Sequence, residues 1–238
     1  MAEKIKNESE ITESKKFMPN LSYDSVIFGF NGKQLKILIL EYHNTGFFAL
    51  PGGFVRRNES LDDAVKRGVR HRTGLDRIYL EQFHTFGDIE RSDSEAMMRI
   101  LEENGMDLKT NQWMLDRFLT VAYYALINYD EVTPRPDKLS DSINWYSIDE
   151  LPALMMDHKK IVEKALQVLR ENLEKKLIGM NLLPPKFTMK QLQQVYEAIL
   201  GENLRRTRSV LGKHCRIEFW HENLDEGIIK DFVKYGYT

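Results

Sequence analysis

The segment that most restricts how this chain can fold runs from Gly53 to Leu75 and reads GFVRRNESLDDAVKRGVRHRTGL. Ser60 followed by Asp63 is a variant of the capping box that starts a helix. Leu61, Ala64, Val65 and Val69 recur at helical spacing and supply a buried side. Gly74 is placed to stop the helix in the left-handed region. The spacing therefore predicts a loop, a short amphipathic helix and a tight exit. On that helix, residues 68, 71 and 72 are i, i+3 and i+4 and share one face. They are Gly68, His71 and Arg72: one position without a side chain, one imidazole and one guanidinium.

Gly53, Glu59, Arg67, Val69, Gly74 and Leu75 match the spacing G-x5-E-x7-R-E-U-x-E-E-x-G-U, and the segment resembles a Nudix box. The resemblance implies that Gly53, Glu59, Arg67 and Gly74 are kept for architecture, with Glu59 and Arg67 tying loop to helix. It also implies that positions 68, 71 and 72 carry the glutamates that hold divalent metal in active members. Mg2+ and Mn2+ need oxygen ligands. A guanidinium cannot coordinate, and a lone imidazole is a poor site for a hard cation. The expectation is a Nudix scaffold with no catalytic residues, no metal and no cofactor.

At 238 residues, with 42% hydrophobic and 11% aromatic content, the chain has room for one medium domain and a small one. The net charge of −2 gives no global basic field, so nucleic-acid contact would need a local patch. The single cysteine, Cys215, excludes an internal disulfide and leaves no C-x-x-C zinc pair. With no membrane-spanning apolar run or secretory segment, a cytoplasmic setting and no membrane partner are expected.

Along the chain, a polar tail is expected over residues 1–20. A Nudix-like effector-sensing domain is expected over 21–178, and a winged helix-turn-helix domain over 179–238. Tyr23–Phe30 and Leu35–Leu40 read as strands joined at Asn31-Gly32. Phe47–Leu50 leads into the box; Ile78–Phe86, Phe118–Ile127 and Ile143–Ser147 read as further strands, and 159–177 as a long helix. The resulting fold class is α/β, a Nudix-type α/β/α sandwich with a mixed sheet, followed by the small winged helix. Residues 92–117 exceed a simple connection and read as a packed excursion, either a lid or dimer contact near the pocket or added core.

Composition changes at Pro184-Pro185, which cannot continue a helix. Thr188 and Gln191 form a capping-box pair, Leu192, Val195, Tyr196, Ile199 and Leu200 make one helix face, and Gly201 ends it. From Arg205 to Arg216 there are five Lys or Arg and no acid. Such a basic run is a solvated helix face or a reader of DNA. The stretch LLPPKFTMKQLQQVYEAILGENLRR behind an altered Nudix box resembles the Nudix-related transcriptional regulators of the NrtR and AraR type. That resemblance implies a homodimer that binds promoter or operator DNA through the winged helix. It also implies a small-molecule effector, either ADP-ribose-like or, in a sugar-utilisation branch, L-arabinose.

Candidate effector contacts are Arg56, Arg57, Arg70, His71 and Arg91. Candidate DNA contacts are Lys190, Arg205, Arg206, Arg208 and Lys213. The rival reading is a divergent hydrolase of a nucleoside diphosphate derivative that holds metal with Asp62, Asp63, Asp88 or Glu90.

Overall fold

In the computed structural model, residues 15–173 and 178–204 are described. The sheet has seven strands: β1 (Phe17–Phe30), β2 (Leu35–Tyr42), β3 (Phe48–Ala49), β4 (Gly52–Arg56), β5 (Tyr79–Phe86), β6 (Leu119–Ile127) and β7 (Ser140–Ser147). The helices are α1 (Leu61–Thr73), α2 (Ser94–Glu103), α3 (His158–Leu173) and α4 (Met189–Leu200). β1 is the spine of the sheet. It runs parallel to β6 from Leu21 to Gly29, while its other edge pairs antiparallel first with β4 and then with β2. β2 in turn carries β3 and β7, and β5 closes the far edge against β6.

Strand alternation sorts the core into two layers. Tyr23 and Ile27 of β1, with Val121, Tyr123 and Ala125 of β6, pack against Ala64, Val65 and Val69 of α1. Val26, Phe28 and Phe30, with Ala122, Tyr124 and Leu126, face the opposite way and meet Ile161, Ala165 and Leu169 of α3. The result is the expected α/β/α sandwich with a mixed sheet. No helix among the described residues is long and apolar enough to cross a membrane.

The capped helix forms as its sequence dictates. Asp63 N–H donates to Ser60 Oγ at 3.2 Å, and Gly74, at φ 76°, donates its N–H to Arg70 O at 2.7 Å. Glu59 and Arg67 pair through two bonds of 2.6 and 3.0 Å, and Glu59 also accepts from Arg56 N–H at 2.8 Å. Arg67 further donates to Phe54 O at 3.1 Å, which pins β4 to α1.

One boundary differs from expectation. The tail expected through residue 20 ends earlier, because Phe17–Asn20 already belong to β1. Phe17 stacks on Trp113 at 5.5 Å between ring centroids and lies 5.8 Å from Phe54, an aromatic anchor that holds the strand start. Across the boundary expected after residue 178 the packing is continuous. Ile178, Leu182, Leu183 and Phe187 join Leu192, Val195, Tyr196 and Ile199 of α4 in the same core cluster as β1 and α3. Arg170 of α3 also donates through Nε to Ile199 O at 2.7 Å. The expected capping box is formed, with Gln191 N–H donating to Thr188 Oγ1 at 3.2 Å and Thr188 N–H to Gln191 Oε1 at 2.7 Å. The tail to residue 14, the end of the long helix at 174–177 and the basic run from Arg205 lie outside the described residues.

Candidate functional site

A cavity of about 290 Å3 opens where β1, β4 and the start of α3 converge under the 92–117 excursion. Its walls include Tyr42, Leu50, Phe54, Phe118 and Leu139, and Met97, Met114 and Leu115 of the excursion cover it. The excursion also buries Ile100 and Leu101 fully, so it supplies both added core and a cover for the cavity. Asp93 starts α2 at the rim by accepting from Ala96 N–H at 2.9 Å.

The polar floor is a closed network. Arg91 is clamped by Asp157 through Nε at 3.0 Å and Nη2 at 3.2 Å, and its Nη1 donates to Phe118 O at 2.9 Å. Asp24 lies 3.6 Å from Arg91 Nη2 and accepts from Thr120 Oγ1 at 2.9 Å. Leu50 N–H donates to His158 Nδ1 at 3.0 Å, so the ring hydrogen sits on Nε2, which is 4.0 Å from Asp24 Oδ1. Burial pushes the His158 pKa below its ordinary value, despite Asp24 and Asp157 nearby, and the imidazole is neutral.

A second ion pair stands between the cavity and the box. Arg72, on α1, is buried and donates to Asp137, which lines the cavity. Burial alone would raise the Asp137 pKa. The Arg72 charge and the bonds from Ser140 Oγ (2.7 Å) and Leu139 N–H (3.0 Å) hold it below its ordinary value.

These residues do not fit the divalent metal of the active family. A Cβ on Gly68 would meet the Tyr23 hydroxyl at 2.2 Å, so the space above this position is filled. Arg72 places a cation where a ligand carboxylate would be needed, and His71 is exposed. Among the described residues no group of three His, Cys, Asp or Glu side chains could hold a metal. Asp62 accepts from Tyr123 Oη at 2.7 Å, Asp63 serves the helix cap, and Asp88 and Glu90 border an open cleft that adjoins the cavity at Arg91–Ser94 without lining the cavity itself.

Of the five arginine and histidine positions expected to contact effector, Arg91 alone lines the cavity. Arg56, the last residue of β4, and Arg57 are exposed, with Arg57 Nε donating to Lys15 O at 2.9 Å. Arg70 faces outward and pairs with Asp76 at 2.8 Å, because it follows the buried Val69 around the helix. Lys190 is exposed on α4; Arg205, Arg206, Arg208 and Lys213 fall outside the described residues. Sequence reasoning passed over Tyr23, Asp24, Asp157 and His158. The available signal was Asp24-Ser25 inside an otherwise apolar strand, since a carboxylate there must be paired.

The NUDIX domain model matches residues 18–165. The chain therefore belongs to the Nudix family. A second model, the NrtR DNA-binding winged helix domain, matches residues 179–208, and the two together give the architecture of a Nudix-related regulator of the NrtR type. The chain is similar to an ADPR responsive transcriptional repressor of Acinetobacter baylyi, at 29% identity over 195 residues, covering 79% of this chain and 69% of that protein. It is also similar to an ADP-ribose pyrophosphatase of Methanocaldococcus jannaschii, at 33% identity over 151 residues, covering 61% of this chain and 72% of that protein. Shewanella oneidensis NrtR, solved with a 27mer DNA, superposes with a TM-score of 0.61 at 28% identity, covering 78% of each chain.

Proposed function

We propose that this protein is a DNA-binding transcriptional repressor whose Nudix domain binds a small effector and does not hydrolyse it. The observation that carries the reading is the joining of the two halves. The first helix of the NrtR-type segment, α4, shares one core with the sheet and with α3, whose other end forms the cavity floor. A winged helix appended only for interaction would not need that continuity.

The effector is a ribose-bearing ligand of the ADP-ribose class, in line with the responsiveness named for the Acinetobacter relative. Asp24, Asp93, Asp116 and Asp137 border the cavity, and carboxylates accept hydrogen bonds from sugar hydroxyls. The one arginine in the lining, Arg91, is already committed to Asp157 and Phe118, so a diphosphate gains little from it. The sugar end therefore enters and the phosphates lie toward the mouth. L-arabinose is the second reading, supported by the same hydroxyl-accepting lining. DNA is bound by a homodimer at a two-fold site, with Lys190, Arg205, Arg206, Arg208 and Lys213 at the contact.

The test pairs a promoter-DNA shift with turnover on ADP-ribose, dinucleotides and nucleotide sugars in Mg2+ or Mn2+. Sequence-specific DNA binding with intact substrates is expected. Turnover of about 1 per second or more that vanishes in Glu59→Gln, without a DNA shift, would replace this reading with the hydrolase.

A further inference from the structure

Tyr23 belongs to β1 and Gly68 to α1, yet the two are fitted to each other. A Cβ on Gly68 would stand 2.2 Å from Tyr23 Oη and 3.0 Å from Cζ, and one on Gly53 would stand 2.7 Å from Oη. The phenol thus fills the gap between β4 and α1. It cannot swing aside as a long flexible side chain could, because the residue is 2% exposed and its rigid ring is packed in the α1-side core. Burial raises the Tyr23 pKa, against the pull of Arg67 and Arg72, so the group is a neutral hydroxyl. The charges of Glu59 and Asp24 act in the same direction as burial, and a neutral phenol brings no negative charge to a divalent cation.

We propose that Tyr23 is the residue that closes the former metal cradle: its hydroxyl holds the space that a box carboxylate and its ion would need. Metal is then excluded by the absence of carboxylates at positions 68, 71 and 72 of α1 and, separately, by the Tyr23 ring reaching across from β1. Carboxylates restored on α1 alone do not rebuild the site. The idea rests on the reading of the domain as a sensor, but its first test is steric and stands or falls independently of DNA or effector binding.

The test uses the full chain as wild type, Gly68→Ala, Tyr23→Ala and the double variant. Alanine for glycine inside a helix ordinarily raises the melting temperature, here by about 1 to 4 °C. Gly68→Ala is expected to lower it in the presence of Tyr23 and to raise it in the Tyr23→Ala background. The same sign and size in both backgrounds would overturn the proposal. If Tyr23→Ala does not fold, Tyr23→Phe removes the closest atom, and Gly68→Ala must then cost less than beside tyrosine; an equal loss would refute the fit. The second measurement is uptake of free Mn2+ by electron paramagnetic resonance in Gly68→Glu/His71→Glu/Arg72→Glu proteins, so that no cation is left at the three ligand positions. Uptake is expected when Tyr23→Ala is added and not while Tyr23 is in place, whereas equal behaviour in the two backgrounds contradicts a barrier set by Tyr23.

Discussion

Replacing Arg91 by methionine tests whether the cavity floor is one electrostatic unit. The side chain is 6% exposed, donates twice to Asp157, once to Phe118 O, and lies 3.6 Å from Asp24. Methionine preserves much of the volume but removes every donor, leaving two buried carboxylates without their cation and one buried carbonyl without its partner. Breaking a buried pair in this way costs about 3–5 kcal/mol. For a chain of this size that corresponds to a fall in melting temperature of roughly 6–20 °C, at about 2–4 °C per kcal/mol. Urea denaturation at pH 7 with an unchanged m value measures the loss directly. The double variant Arg91→Met/Asp157→Leu should recover part of it, since the stranded charge goes with its partner. A loss below about 1 kcal/mol for Arg91→Met, or no recovery in the double variant, would refute the network as drawn.

Further predictions concern pH, the exposed box positions and the DNA surface. His158 is buried neutral with a lowered pKa and is faced by Asp24, Asp157 and Arg91. Its contribution is intact above the ordinary value of 6.5 and is lost as pH falls from there toward the folded value, because the unfolded chain binds a proton that the folded one refuses. The excess slope over His158→Gln should approach but not exceed about 1.4 kcal/mol per pH unit; parallel curves for the two proteins would contradict the buried neutral ring. His71→Ala, at an exposed helix position, should change stability by less than about 0.5 kcal/mol and leave effector affinity unaltered by calorimetry; a larger change in either would return His71 to the site. Replacing Arg205, Arg206 and Arg208 together by alanine should weaken operator binding and flatten its salt dependence, as each lost phosphate contact removes counterion release. Unchanged affinity in the folded triple variant would move the DNA surface elsewhere.

Local features carried their own signatures in the chain. Ser60 and Gly74 bracket α1, Thr188, Gln191 and Gly201 bracket α4, and the short apolar run Val26–Phe30 marks a strand, because caps and short apolar runs act over a few residues. The candidate site was legible only in outline. Arg91 and Asp157 are 66 positions apart, and Tyr23 meets Gly68 across two elements, so no spacing rule connects them. Placing Arg70 and His71 at the pocket followed from their position in the box. In the folded helix the buried Val69 turns Arg70 outward and His71 is likewise exposed, while Arg72 is buried against Asp137. Phe17–Asn20 read as tail because their partners, Trp113, Phe54 and Arg117, come from distant loops and strands.

The proposed function requires the cavity to be coupled to the DNA reader, and among the described residues the link is the packing of α3 against α4. α3 begins at His158 on the cavity floor and reaches Leu173 in the core shared with α4, a span of about 24 Å at 1.5 Å per residue. A ligand that prefers one arrangement of this packing must change operator affinity, and operator must change ligand affinity by the same factor. The most direct measurement is calorimetric titration of ADP-ribose, with L-arabinose alongside, into the full-length protein with and without operator DNA. The ligand that binds is expected to do so with affinities differing by about 5 to 150-fold between the two titrations, with the same factor in the reverse experiment. A ligand that binds tightly and equally in both would contradict it.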